Sequence, residues 1–238
     1  MIGINCGGTG IVVRPTDLEA LKRSALFRGS PEAERLARAA FVQTLPRGAV
    51  LFEQGTDAEF LHVILGGRVG LFAQNPGHEP TVVEVFGAGE AVLAPAALLK
   101  RPYLLDGRVT VEARIVLIPA DEFRRAVSRD HKLAIAVGET LARHWRGLVI
   151  QIKDLKLRNS TQRLASHLLG MADMRAGAAV VRLGEERRLL AARLGMTPET
   201  LSRAFAALKP FGVQTRGRVV HIENITKLKA HGEYDALR

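Results

Sequence analysis

The sequence predicts an α+β chain in three parts: an antiparallel β-roll of cupin-like shape, one long helix and a winged helix-turn-helix. Three observations predict it. Short apolar runs separated by Gly, Asn, Pro and Asp crowd residues 43–117. Many short, closely spaced strands build a small barrel or roll, because that architecture closes or shields strand edges. A helical period then runs from about Lys132 to Arg158. Beyond it, two helical segments meet at Gly195 and a hairpin pattern is centred on Arg216-Gly217. The expected boundaries are 1–130 for the N-terminal helices and roll, 131–158 for the long helix, and 159–238 for the winged domain.

Each element has its own reason. Residues 1–15 are Gly-rich and are expected to be mobile. Residues 17–41 carry Leu18, Leu21, Leu36 and Ala40 at helical spacing, which reads as one or two short helices. Strand-like runs follow at 49–52, 60–65, 69–73 and 81–86. In the next, Val109, Val111, Ala113, Ile115 and Leu117 alternate with Thr110, Glu112 and Arg114, as in a half-buried strand. Gly66-Gly67 and Asn75-Pro76-Gly77 read as turns. Residues 121–128 form a short helix before the long one.

In the long helix Leu141, Trp145, Leu148, Ile152 and Leu155 recur at steps of four, three, four and three. That is a seam of period 3.5. It fits a helix lying on its own domain's core, or one pairing with a second copy. The second reading is favoured because this helix joins two differently built regions. A further helix from Thr161 to about Met174 and a strand over 179–183 complete the lead into the C-terminal motif.

Charge and cysteine content narrow the function classes. The 238 residues carry a formal net charge of +10, with a pI near 10.4. Such an excess favours polyanionic partners. Residues 159–238 hold thirteen Lys/Arg against seven Asp/Glu, so the polyanion is expected to meet the C-terminal third. Cys6 is the single cysteine, which excludes an intrachain disulfide and a cysteine-ligated iron–sulfur cluster. No apolar stretch reaches the roughly 18 residues of a membrane span. Residues 1–10 lack a signal peptide's basic start and apolar run, and a cytoplasmic location is expected.

The segment from Glu185 to Ile222 carries the chemistry. Glu185 to Leu194 is helical, Gly195 supplies a turn that accepts positive φ, and Thr197 caps a second helix opened by Pro198. That helix, read to Lys209, puts Leu201, Phe205 and Leu208 on one face. Glu199, Ser202, Arg203 and Ala206 lie on the other. A major groove admits one α-helix, whose first turn points at base edges. Arg203 can pair bidentately with guanine, Glu199 can accept from cytosine, and Ser202 can donate to a base or phosphate. Thr197 and Thr200 stand on the same first turn, and Arg216 and Arg218 can neutralise phosphates from the wing. Double-stranded DNA is the expected partner.

The run Leu190-Ala191-Ala192-Arg193-Leu194-Gly195-Met196-Thr197-Pro198-Glu199-Thr200-Leu201-Ser202-Arg203 resembles the helix-turn-helix of the CRP/FNR regulators. Its Glu199, Ser202 and Arg203 resemble the FNR type more than the CRP type. Leu51-Phe52-Glu53-Gln54-Gly55 and the run 61–69 resemble the cyclic-nucleotide-binding-like β-roll of the same family. The resemblance covers roughly 40–230. It implies a homodimeric transcription regulator on palindromic sites with TTGAT half-sites, responding to a small-molecule or gas effector and working with RNA polymerase. The cyclic-AMP cassette of Gly-Glu and Arg-Ser/Thr falls at Leu93-Ala94 and near Leu104-Leu105-Asp106, so cyclic AMP is not the expected ligand. Arg101 and Arg108 lie close by.

What remains resembles the cysteine-poor DNR/NnrR branch, which is linked to nitric oxide and haem. His62, His78, His131, His144 and His167 are available as axial ligands. His144 and His167 rank first, because they lie near the seam between sensor and reader. The alternative reading is a cyclic-nucleotide-binding module acting on a protein partner. Gly7-Gly8-Thr9-Gly10 lacks the Lys-Ser/Thr of a phosphate loop, and no catalytic constellation or metal motif is present, so an enzyme is not expected.

Overall fold

The computed structural model describes residues 13–74, 80–92, 94–172, 177–184 and 186–232. The expectations placed on Cys6, the Gly7–Gly10 stretch, Asn75-Pro76-Gly77, His78, Leu93 and Glu185 lie outside these residues. The chain divides into two compact units, Met1–His144 and Trp145–Arg238.

The first unit opens with α1 (Pro15–Arg23) and α2 (Glu32–Ala39). Pro15 suits a first helical position, and Asp17 accepts from the Arg14 N–H at 3.0 Å. Six strands follow: β1 (Phe41–Leu45), β2 (Val50–Phe52), β3 (Phe60–Ala73), β4 (Thr81–Phe86), β5 (Ala91–Val92) and, after α3 (Ala94–Leu99), β6 (Asp106–Pro119). They pair in the order β1-β6-β3-β4, with β2 on β6 and β5 on β3, and every pairing is antiparallel. One core fills the roll, around Ile64, Leu71, Phe86 and Ile115. A second packs α1, α2 and α4 (Ala120–Arg129) on the sheet through Leu21, Leu36 and Phe123. The Arg114 guanidinium grips buried Asp17 with two 2.7 Å hydrogen bonds, tying α1 to β6.

One expectation is corrected. Gly66-Gly67 is not a turn, because the runs 60–65 and 69–73 form the single strand β3. The glycines mark irregularities in its register with β6. Gly67 sits at φ +82, and a Cβ there would meet the Glu112 carbonyl oxygen, so the neighbouring strand passes where a side chain would stand. The helix α3 leaves no mark in the sequence, since six residues of Ala, Leu and Pro give no period to read.

The long helix α5 runs His131–Leu157, and the division between the units falls within it. Its first turns belong to the first unit's core through Leu133 and Val137.

The second unit begins with the end of α5 and continues with α6 (Ser160–Met171). Asn159 caps α6 reciprocally with Gln162, the two backbone N–H groups and side-chain oxygens meeting at 2.9 and 3.0 Å. Then come β7 (Ala179–Arg182), α7 (Arg187–Arg193), α8 (Pro198–Leu208), a 3-10 turn at Lys209–Phe211, β8 (Val213–Arg216), β9 (Val219–Ile222) and α9 (Ile225–Gly232). The wing is a three-stranded antiparallel sheet in the order β7-β9-β8. Its core holds Leu164, Leu168, Leu190, Leu201, Phe205 and Val220.

Candidate nucleic-acid interface and effector chamber

Helix α8 is built from its cap outward. The Thr197 hydroxyl accepts from the Thr200 N–H at 3.2 Å, satisfying one of the orphan donors of the first turn. Leu201, Ala204, Phe205 and Leu208 are buried, which turns Glu199, Ser202, Arg203 and Ala206 to solvent. Arg203 donates to the Thr200 hydroxyl at 3.2 Å, so the guanidinium lies back along the first turn. The Glu199 carboxyl is held below the ordinary carboxylate range by its own backbone N–H, with help from the Thr197 hydroxyl and the Arg203 charge. It is therefore an acceptor at neutral pH. Ser202 departs from its expected donor role, because its hydroxyl hydrogen is spent on the Pro198 carbonyl at 3.0 Å. In this state its oxygen is what remains for a partner.

Arg216 and Arg218 flank Gly217 at the exposed tip between β8 and β9. The expected DNA residues thus fall into two exposed groups, the first turns of α8 and the wing tip. Arg187, which the sequence does not single out, lays its guanidinium 5.3 Å from the Phe205 ring centroid and so packs α7 against α8. Only a contact between α7 and α8 reveals it.

The seam residues also divide. Leu141 packs against the first unit's core, whereas Trp145 is 68% exposed and Ile152 is 52% exposed. Leu148 and Leu155 are exposed with them. From Trp145 onward, each residue of the apolar stripe is more than a third exposed among the described residues.

Inside the roll, Phe52 and Tyr103 stack at 4.0 Å between ring centroids. The His62 ring lies 5.2 Å from the first and 6.2 Å from the second. His62 is buried, its Nδ1 has no partner among the described residues, and burial pushes its pKa down to about 3. Burial also pushes the Tyr103 phenol up, and its hydroxyl donates to the Phe60 carbonyl at 3.1 Å. Gly107 has no side chain because Phe52 occupies that space.

At the expected cassette places, Ala94 is buried, Leu104 is exposed, and Asp106 is buried. Burial pushes the Asp106 carboxyl up, but hydrogen bonds from the Gln54 N–H, Gln74 and Arg108 outweigh it and leave the pKa lowered. Arg108 donates to Asp106 at 2.9 Å, so a guanidinium does stand at this place, already engaged with a carboxylate. Its Nε is buried without a partner among the described residues.

The ranked histidines have other neighbours. His144 meets the Phe86 ring edge-on at 5.4 Å, and His167, on α6, has an interaction of its own. Among the described residues no group of three or more His, Cys, Asp or Glu could hold a metal ion. None of their helices is long and apolar enough to cross a membrane.

A β-roll, a long helix and a winged helix-turn-helix with an exposed polar face define a class of DNA-binding regulator. Residues 42–130 match the cyclic nucleotide-binding domain family and residues 162–231 the Crp-like helix-turn-helix domain. A solved structure of a 'putative cyclic nucleotide binding protein' from Ruegeria pomeroyi is 34% identical, over 92% of this chain and 98% of that one, with a TM-score of 0.58. A CRP-like cAMP-activated global transcriptional regulator of Mycobacterium tuberculosis is 24% identical, over 88% of this chain and 97% of its own. A CooA mutant from Carboxydothermus hydrogenoformans shares the fold at a TM-score of 0.71, with 18% identity over 82% of this chain and 88% of that one. The chain belongs to the CRP/FNR family of transcription regulators, and its relatives and domains place it among regulators rather than enzymes.

Proposed function

We propose that the chain works as a homodimer that reads palindromic DNA with FNR-like TTGAT half-sites, laying α8 in the major groove. The observation that carries this is the exposed first turn of α8, where Thr197, Glu199, Thr200, Ser202 and Arg203 gather ahead of a basic wing tip. Base-directed side chains at the front of a capped helix supply readout, and Arg216 and Arg218 supply phosphate contacts. The exposed stripe Trp145, Leu148, Ile152 and Leu155 supports pairing with a second copy, which would set two reading helices about 34 Å apart. RNA polymerase is the protein partner of such a regulator, and the cytoplasm is its place of work. Fluorescence anisotropy with an inverted TTGAT duplex and a scrambled one tests the reading. Preference for the first, falling with salt, is expected; equal affinity for both removes it.

The effector in this reading is not cyclic AMP. The names of two relatives, one cAMP-activated and one cyclic nucleotide binding, favour the other view. Against it stand the aromatic stack of Phe52, His62 and Tyr103 within the roll and the carboxylate of Asp106, which occupies Arg108. A cyclic phosphate needs a free cation, and a buried carboxylate repels it. Calorimetric titration with cyclic AMP separates the two views. Saturable heat would restore the cyclic-nucleotide module.

A place in the nitric-oxide-linked DNR/NnrR branch rests on the sequence resemblance. Of the two ranked histidines, His144 lies edge-on to Phe86 and His167 has an interaction of its own, whereas buried His62 keeps an Nδ1 without a partner among the described residues. The absorption spectrum after haem supplementation is the check. A Soret band that moves with nitric oxide would make the gas sensor the better reading.

A further inference from the structure

We propose that Arg163 is a positioning residue for DNA recognition, a clamp that makes the last turn of α5 and the turn of the helix-turn-helix one rigid block. This rests on the DNA-reading role proposed above. The Arg163 guanidinium donates in three directions, all to main-chain carbonyls. Its Nε reaches the Leu194 oxygen at 2.8 Å, Nη1 the Arg158 oxygen at 2.8 Å, and Nη2 the Gly195 oxygen at 3.2 Å. Arg158 follows the end of α5, and Leu194 caps the end of α7. The last carbonyls of a helix have no partner within it and carry its partial negative charge. A single planar cation therefore gathers two helix ends that would otherwise repel each other.

Two further contacts set the same joint. Leu155, on the last turns of α5, lies over Gly195. A Cβ on that glycine would come 2.5 Å from Leu155 Cδ2, and its φ of +63 also favours glycine. Asp154 and Arg158 pair along the end of α5, and Arg158 donates to the Ser166 hydroxyl of α6 at 3.2 Å. The capping residue of α8, Thr197, comes two positions after Gly195. The direction of α5 is thereby passed to α8 through fixed contacts within one compact unit. In a dimer paired along α5, Arg163 would set the separation and tilt at which two reading helices meet DNA.

The clamp needs a fork, not merely a charge. A Lys ammonium is a point cation and cannot reproduce three fixed directions. The full-length wild type, R163Q and R163K are titrated by anisotropy against a duplex with one TTGAT half-site. They are also titrated against a series of duplexes with two inverted half-sites at increasing separation. The wild type should prefer one separation. R163Q should bind the single half-site within about twofold of wild type, yet bind the best-spaced duplex about tenfold more weakly and with a flattened preference. R163K should fall between them. An unchanged spacing profile in both variants overturns the clamp. So does a loss of single half-site binding in both that matches the loss at the best spacing, since Arg163 would then only hold the domain together. A wild type that binds none of the duplexes defeats the DNA-reading role itself, and the clamp with it.

Discussion

Arg203 and His62 show how differently two side chains of this molecule can be read. Arg203 sits exposed at the front of α8 and borrows only the Thr200 hydroxyl as a partner. Its guanidinium can leave that bond for a base edge at little cost. Arg203→Ala should weaken binding by about 1–3 kcal/mol at a matched site and relax the choice at one base pair. Competition assays with single-base variants of the site check this. Equal affinity across matched and mismatched sites for the wild type and the variant alike would count against base contact.

His62 is the opposite case. Its pKa in the folded chain, about 3, lies far below the ordinary 6.5, because burial disfavours the charged ring. The unfolded chain therefore binds a proton that the folded chain refuses between those values. Stability from this group is complete above about pH 6.5 and is lost as pH falls towards 3, by about 1 kcal/mol for each pH unit. His62→Leu should flatten that acid limb, read as urea midpoints at pH 7 and pH 5. A parallel slope in wild type and variant would show that the ring titrates normally.

At the scale of elements, α5 changes role along its length. Its first turns are core, with Leu133 fully buried and Val137 nearly so, whereas Trp145 and Ile152 are more than half exposed. An exposed apolar stripe of this period is suited to a second helix packing along it. Ile152→Asp would place a charge in that seam without touching either core. Sedimentation velocity should show the wild type as a dimer and the variant shifted to monomer, with near-native helical content. A dimer that survives the substitution would move the interface elsewhere.

The element scale also shows where reading along the chain stops. Helices α1, α2, α4, α5 and α8 follow from their periods and caps, because those signals are local. Strand β3 did not, since Gly66-Gly67 carries the same letters whether a chain turns or bends past a neighbour. The choice was made by Glu112 on β6, whose carbonyl lies where a Gly67 side chain would be.

Across the whole molecule the positive charge is weighted toward the C-terminal third, and this sets how binding answers to salt. Each phosphate neutralised by a side chain releases counterions, so affinity falls with salt in proportion to the number of contacts. Arg216→Ala should weaken all duplexes alike and reduce the slope of log affinity against log salt by about one. Specificity should stay intact, in contrast to Arg203→Ala. A change in sequence preference without a change in slope would mean the wing reads bases.

The sequence by itself determined the order of the parts, the position of the reading helix down to its Thr197 cap, and the period of the seam. These are properties of neighbours a few residues apart, and helix periods, caps and turn glycines act over that range. Only the tertiary structure decided what fills the roll, which seam residues stay exposed, and how α5 grips the turn before α8. Phe52, His62 and Tyr103 come from three separate stretches, and Arg163 meets Leu194 and Gly195 across some thirty positions. Contacts of that separation depend on how distant segments pack, which no local spacing encodes.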